Sequence, residues 1–256
     1  MSLDQLIRQQ IPALPFPLNA YAELLRLEVG EVRYLHYGLF ASADEPAAEA
    51  QERSTRLLLE ALGEQPQRIL EVGIGLGTTL QRLHELGHQI HGLTPDPAQI
   101  VIARERCPAV TLHHSRFEDF SESLRFDTIV FQESCQYVEM NALWRKAASL
   151  LEPGGRVLIL DEFSTGGPAS LPALAHFGEA ALRHGFVRDS QLDLSESAAH
   201  TLRFLLAAVD RHQAALLQLP GVTPQHLADL QASNRGYQAR YAAGEYAYLR
   251  LVYRKA

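Results

Sequence analysis

Residues 68–80 constrain this chain most: Arg-Ile-Leu-Glu-Val-Gly-Ile-Gly-Leu-Gly-Thr-Thr-Leu. A short apolar run carries an acid, Glu71, at its end. Glycines follow at alternate positions, Gly73, Gly75 and Gly77, and a helical pattern opens at Thr78. That order spells a first β-strand, a tight turn and a helix N-terminus. Glycines there let the backbone take unusual dihedral angles and let a ligand lie against bare main chain. Amides freed at the helix start cradle an anionic or polar group. A nucleotide-like cofactor fits; a tight turn that holds nothing is the alternative.

The chain around this turn reads as α/β. From residue 66 onward, apolar runs alternate with helical patterns, which marks βα units around a parallel sheet. The pattern predicts strands over 69–72, 88–93, 110–114, 126–131 and 156–160, with helices over 78–86, 97–106 and 142–151. A helix over 169–184, a sixth strand over 186–194 and a closing strand over 246–253 complete it. Residues 197–243 look wholly helical, interrupted near Gly221 and Pro224. A structured insertion of that length is usually functional. Before the sheet, Pro12, Pro15 and Pro17 forbid one continuous helix. A short helix, an extended arm and a helix over 21–27 are expected, followed by the aromatic segment 34–40.

Composition narrows the function. A net charge of −7 with no run of Lys or Arg argues against a nucleic-acid surface. Cys107 and Cys135 are the only cysteines, so neither a disulfide framework nor a CxxC metal spacing exists. His113 and His114 would point to opposite faces of a strand, so both read as structural and no metal is expected. The first residues lack a basic region followed by an apolar core, and no stretch approaches the roughly 20 apolar residues of a membrane span. A cytoplasmic protein without stable membrane insertion is expected.

The run Glu71-x-Gly73-x-Gly75-x-Gly77 resembles the first motif of class I S-adenosylmethionine-dependent methyltransferases. That resemblance implies a Rossmann-like, seven-stranded and mostly parallel sheet with its last strand antiparallel. It also implies S-adenosylmethionine as cofactor, with S-adenosylhomocysteine as product. In the family the acid helps hold the turn and the cofactor's amino group, and the glycines lie under its methionine portion. The order of aromatic segment, helix through Leu62 and glycine turn is similar to the cyclopropane-fatty-acid, mycolic-acid, sterol and tocopherol methyltransferases.

On that likeness His36 and Tyr37 border the active site within an N-terminal lid. Thr94 and Gln99 match a Gly-(Ile/Val)-Thr pattern followed five residues later by Gln. Asp96 is the fallback ribose ligand, or simply a helix cap. Phe117 and Glu118 match an aromatic–acid pair that takes adenine. Thr78 and Gln132 complete the expected cofactor set. Glu133 matches the acid of a Glu-x-x-x-His pattern whose histidine is replaced by Tyr137. The expected catalytic set is therefore Glu133, Tyr137, His36 and Tyr37, with Cys135 a buried spectator and Asp161-Glu162 a weaker candidate.

The expected division is residues 1–62 as arm and lid, 63–196 as cofactor-binding core, 197–243 as a helical cap over the substrate site, and 244–256 as the final strand. The expected reaction moves a methyl group from S-adenosylmethionine to a small lipophilic acceptor, carbon ahead of oxygen and nitrogen. Its rivals are a nicotinamide-dependent oxidoreductase and a catalytically silent cofactor-binding protein. The glycine spacing, Glu71 and the closing strand count against the oxidoreductase.

Overall fold

A computed structural model describes residues 1–166 and 170–256. The N-terminal region holds α1 (Leu3–Gln10), α2 (Leu18–Val29) and α3 (Ala47–Leu62). The sheet region follows as β1 (Arg68–Val72), α4 (Thr78–Glu85), β2 (Gln89–Thr94), α5 (Pro97–Arg106), β3 (Thr111–His114) and β4 (Phe126–Gln132). Next come α6 (Met140–Leu150), β5 (Leu151–Ser164), α7 (Leu174–Arg183) and β6 (Phe186–Asp193). The helices α8 (Ser195–Leu216) and α9 (Pro224–Ala242) precede the closing strand β7 (Tyr246–Lys255).

The seven strands form one sheet in the order β3-β2-β1-β4-β5-β7-β6. All pairs are parallel except those of β7, which runs antiparallel to both β5 and β6. Adjacent residues in the central strands are buried on opposite faces. Leu70, Ile129, Phe131, Val157 and Ile159 pack with α6 and α7, while Ile69, Val130, Leu158 and Leu160 pack with α3, α4 and α5. A sheet covered on both sides needs such continuous apolar runs rather than alternation, which is why they stand out in the sequence.

Three expected boundaries are corrected. The arm over 11–20 is not extended: Ile11–Ala13 is a 3-10 turn, and α2 begins at Leu18, directly after Pro17. It runs to Val29, where Gly30 (φ 85°) turns the chain away. The fifth strand continues past residue 160 because β7 pairs with it as far as Ser164 opposite Tyr246. The helix expected over 169–184 starts at Leu174, since Ala173 bridges to Ser164 and Pro172 accepts a bond from the Ser164 amide. Ala169, where that helix was expected to begin, lies outside the described residues.

The helices α2, α8 and α9 share a core of Ala20, Leu24, Leu205, Ala208, Val209, Leu227 and Leu230. Chain ends far apart in sequence thus form one helical layer. Tyr21 of α2 donates a hydrogen bond to Asn234 of α9 at 3.1 Å.

Candidate active site

Strand order reverses between β1 and β4, and crevices beyond the carboxyl ends of strands at such a reversal are where open α/β sheets bind ligands. A cavity of about 570 Å³ lies there. Its floor is the glycine turn after β1 and the Glu133 turn after β4; the segments after β2 and β3, α2, the 33–37 segment and α9 form its walls.

The glycine turn is held from several sides. The Gly73 amide donates to the Leu93 carbonyl at 2.8 Å, and Gly73 has φ 79°. A methyl group on Gly73 would sit 2.4 Å from Cβ of Ser134, so the turns after β1 and β4 touch. A methyl group on Gly77 would meet Ala103 of α5 at 2.9 Å. Gly75 differs: nothing lies within 4 Å of its added Cβ, and the residue lines the cavity. Glu71 lines the cavity too, is buried, and leaves Oε2 without a hydrogen-bond partner. Burial pushes its carboxyl up to about 8.

The other residues expected to hold cofactor divide by what they touch. The Thr94 hydroxyl donates to Oε1 of Gln99 at 2.9 Å and accepts from the Asp96 amide at 3.2 Å. Asp96 caps α5 through the amides of Ala98 and Gln99 while also lining the cavity. Phe117 is on the cavity wall, yet only 3% exposed, because its ring packs edge-on against Phe131 at 5.3 Å. Glu118 lies beside it, paired with Arg116 at 3.1 Å. Gln132 is braced by Thr79 at 3.1 Å and by Ser54 at 3.4 Å. The Thr78 hydroxyl donates to the Arg33 carbonyl, tying α4 to the segment above it.

The four expected catalytic residues all line this cavity, in different settings. Glu133 has φ 55°, a left-handed conformation unusual for a residue with a side chain. Its Oε1 accepts from the Tyr37 amide and from the Tyr248 hydroxyl, each at 2.7 Å. Burial pushes this carboxyl well above the usual carboxylate range, against the pull of the Tyr248 bond. His36 meets the Tyr37 carbonyl through Nδ1 at 2.9 Å and Thr55 Oγ1 through Nε2 at 3.1 Å. A carbonyl can only accept, so Nδ1 carries the proton, and burial lowers the imidazole to about 4. Both its nitrogens are occupied, which makes it a brace for the segment. Tyr137 is 75% exposed and stands at the cavity's rim. Cys135 is buried, and its amide donates to Asp161 at 2.8 Å.

Glu162 of β5, the weaker candidate, lines the cavity, accepts the Tyr241 hydroxyl at 2.7 Å, and burial pushes it up to about 8. Other residues were missed. Tyr248 fixes Glu133 from β7. Tyr21, Asn234 and Tyr237 join Tyr37 and Tyr137 around the half of the cavity away from the glycines. The signal for Tyr248 was present as the Tyr-x-Tyr alternation of the last strand, which puts Tyr246 and Tyr248 on one face. Nothing local marks Tyr21 or Asn234, which meet across 213 positions.

Comparison with known proteins bears on identity. A methyltransferase-domain model matches residues 69–155. An uncharacterized methyltransferase of Bacillus cereus is 28% identical over 122 residues, covering 46% of this chain and 56% of that protein. The chain thus spans about half the length of this curated relative. The crystal structure of the cyclase SpnF superposes with a TM-score of 0.78 at 18% identity, covering 99% of this chain and 96% of that one. The cyclopropane synthase MmaA2 from Mycobacterium tuberculosis gives 0.75 at 18% identity, covering 86% and 89%. At such identities the likeness is one of fold. Residues 69–155 therefore match a methyltransferase domain, and the sheet around them has the fold of these two structures.

Proposed function

We propose that this chain transfers a methyl group from S-adenosylmethionine to a small lipophilic molecule, with carbon as the acceptor atom ahead of oxygen and nitrogen. One observation carries the reading. A single cavity joins the glycine turn to a half walled by Tyr21, Tyr37, Tyr137 and Tyr237 around Glu133. Donor and acceptor would therefore share one space, as an in-line displacement needs.

The residues present fit the cofactor. The open side of Gly75 leaves room against the main chain, and the unpartnered Oε2 of Glu71 is an acceptor for an ammonium group. In our reading Glu71, Gly73, Gly75, Gly77 and Thr78 hold its methionine end, Thr94 and Gln99 its ribose, and Phe117 and Glu118 its adenine. Gln132 braces the turn. When bound, the cofactor supplies an electrophilic methyl group. Residues 33–37 act as a lid through the Tyr37–Glu133 bond, and residues 197–243 as a cap over the acceptor. Tyrosine rings stabilise positive charge developing on an acceptor carbon, and Glu133 takes or orients a proton. We place the protein in the cytoplasm, acting on a small molecule rather than on nucleic acid or within a membrane. Among the described residues no helix is long and apolar enough to cross a membrane.

Two measurements test the cofactor assignment. Calorimetric titration should show saturable binding of S-adenosylhomocysteine and none of NADH, with Glu118→Ala weakening the former about tenfold. Preference for NADH would bring the oxidoreductase reading forward. The second measurement is pH dependence. The raised Glu71 carboxyl holds a proton in the free chain below about 8. An ammonium group beside it favours the carboxylate, so binding releases that proton. Affinity should therefore climb with pH, by at most about tenfold per unit, between roughly pH 5.5 and 7.5. Glu71→Gln should flatten the profile; a slope that survives the substitution assigns the proton elsewhere.

A further inference from the structure

Away from this cavity, at the free edge of the sheet, His91 of β2 and His113 of β3 face each other. The parallel register pairs His91 with Thr111 and Leu93 with His113, so the two histidines are diagonal neighbours on one face. Nδ1 of His91 lies 3.0 Å from Nε2 of His113, and the ring centroids are 5.2 Å apart at 22°. The rings meet end to end rather than face to face. Phe126 closes the site beside His91, at 5.3 Å between ring centroids, and Phe120 beside His113, at 4.8 Å.

The loop after β3 brings a third donor. The ligating atoms of His91, His113 and Glu122 all lie within 4.8 Å of one another, the one such cluster among the described residues. The Glu122 bonds to the amides of Ser123 and Leu124 and to the Ser123 hydroxyl all land on Oε1. Those bonds hold the carboxylate in place while committing only one of its oxygens.

We propose that His91, His113 and Glu122 form a zinc site, separate from the methyl-transfer cavity and independent of the function proposed for it. Two imidazole nitrogens and one carboxylate oxygen suit zinc, with water completing a tetrahedron. Zinc–nitrogen bonds of about 2.0–2.1 Å place two such nitrogens about 3.3 Å apart, close to the spacing already present. Each ring must swing by roughly 35° to aim its nitrogen at a tetrahedral ion, and the pair must give up the proton they share. The site joins β2 and the edge strand β3 to the loop that carries Phe117 and Glu118, so bound metal would clip the wall of the cavity to the sheet.

The test uses the untagged full chain, freed of metal with a chelator. Zinc titrated calorimetrically should bind at one ion per chain with a micromolar dissociation constant, and cobalt should give the strong visible absorption of a four-coordinate ion. Zinc should also raise Tm by a few degrees, because it binds only the folded state. His91→Gln and Glu122→Gln should each weaken binding at least about tenfold. Glu122 sits on a loop, so its variant should fold even where a strand substitution does not; circular dichroism checks both. No binding at about millimolar zinc overturns the proposal, and so does binding that neither substitution changes. Weak cobalt absorption of the six-coordinate type, insensitive to His91, overturns it as well.

Discussion

Glu133→Gln is expected to lower kcat by about 10²–10⁴-fold while leaving the affinity for S-adenosylhomocysteine within a few-fold. The substitution is chosen from the hydrogen bonds. Both the Tyr37 amide and the Tyr248 hydroxyl donate to Oε1. A glutamine keeps an oxygen there, so the lid segment and β7 retain their contacts. What is lost is the ability to exchange a proton or carry negative charge beside the acceptor. Burial already raises this carboxyl well above its ordinary value. A carboxyl raised in this way is, once ionised, a stronger base than an ordinary one. The measurement is single-turnover transfer of labelled methyl groups to an acceptor found by screening lipophilic compounds. An unchanged kcat would remove Glu133 from the chemistry and leave it as the peg that holds the lid. A raised KM with kcat intact would assign it to acceptor binding.

Gly73→Ala is expected to abolish measurable cofactor binding and to lower Tm by roughly 5–15 °C. Two costs add. At φ 79° a side chain is strained by about 1–2 kcal/mol. The new methyl would also stand 2.4 Å from Cβ of Ser134, a clash with a residue whose hydroxyl is bonded to the Val72 carbonyl. Overpacking of that kind costs about 1–3 kcal/mol, and each kcal/mol shifts Tm by about 2–4 °C in a chain near this size. Relief requires the β1 and β4 turns to part, which moves the glycine turn and Glu133 together. Gly75→Ala is the matched control. Its Cβ meets nothing within 4 Å, but its φ of 51° carries the backbone strain alone, so Tm should fall by only about 2–8 °C while cofactor affinity falls, since the added methyl enters the space assigned to the ligand. Equal loss of Tm in both variants would mean that backbone strain, not the contact with Ser134, sets the cost.

The sheet was legible because its determinants are local. Ile69, Leu70, Ile129, Val130 and Phe131 lie in short runs buried on both faces, and Gly73, Gly75, Gly77 and Pro97 punctuate the ends. The extent of a strand such as β5 was not, because its far end, Ser164, is set by pairing with Tyr246 of β7, much later in the chain. The cavity divides the same way. Its glycine half follows from one continuous stretch. Its tyrosine half is assembled from α2, the 33–37 segment, the β4 turn and α9, and no spacing rule links Tyr21 to Asn234. Family resemblance put His36 at the border of the active site; only the three-dimensional structure shows that both its ring nitrogens are engaged, by the Tyr37 carbonyl and by Thr55.

The place of β7 between β5 and β6 has a consequence for biosynthesis. When the ribosome has delivered residues 1–245, both β5 and β6 exist as sequence, but the strand that separates them does not. Two rows of backbone amides and carbonyls stand unpaired until Tyr246–Lys255 emerges and slots between them. Open edges of that kind invite pairing with other chains. The nascent protein therefore carries both open edges until residues 246–255 have left the ribosome. Because Tyr248 arrives with that strand, the carboxylate at Glu133 gains its second hydrogen bond only then.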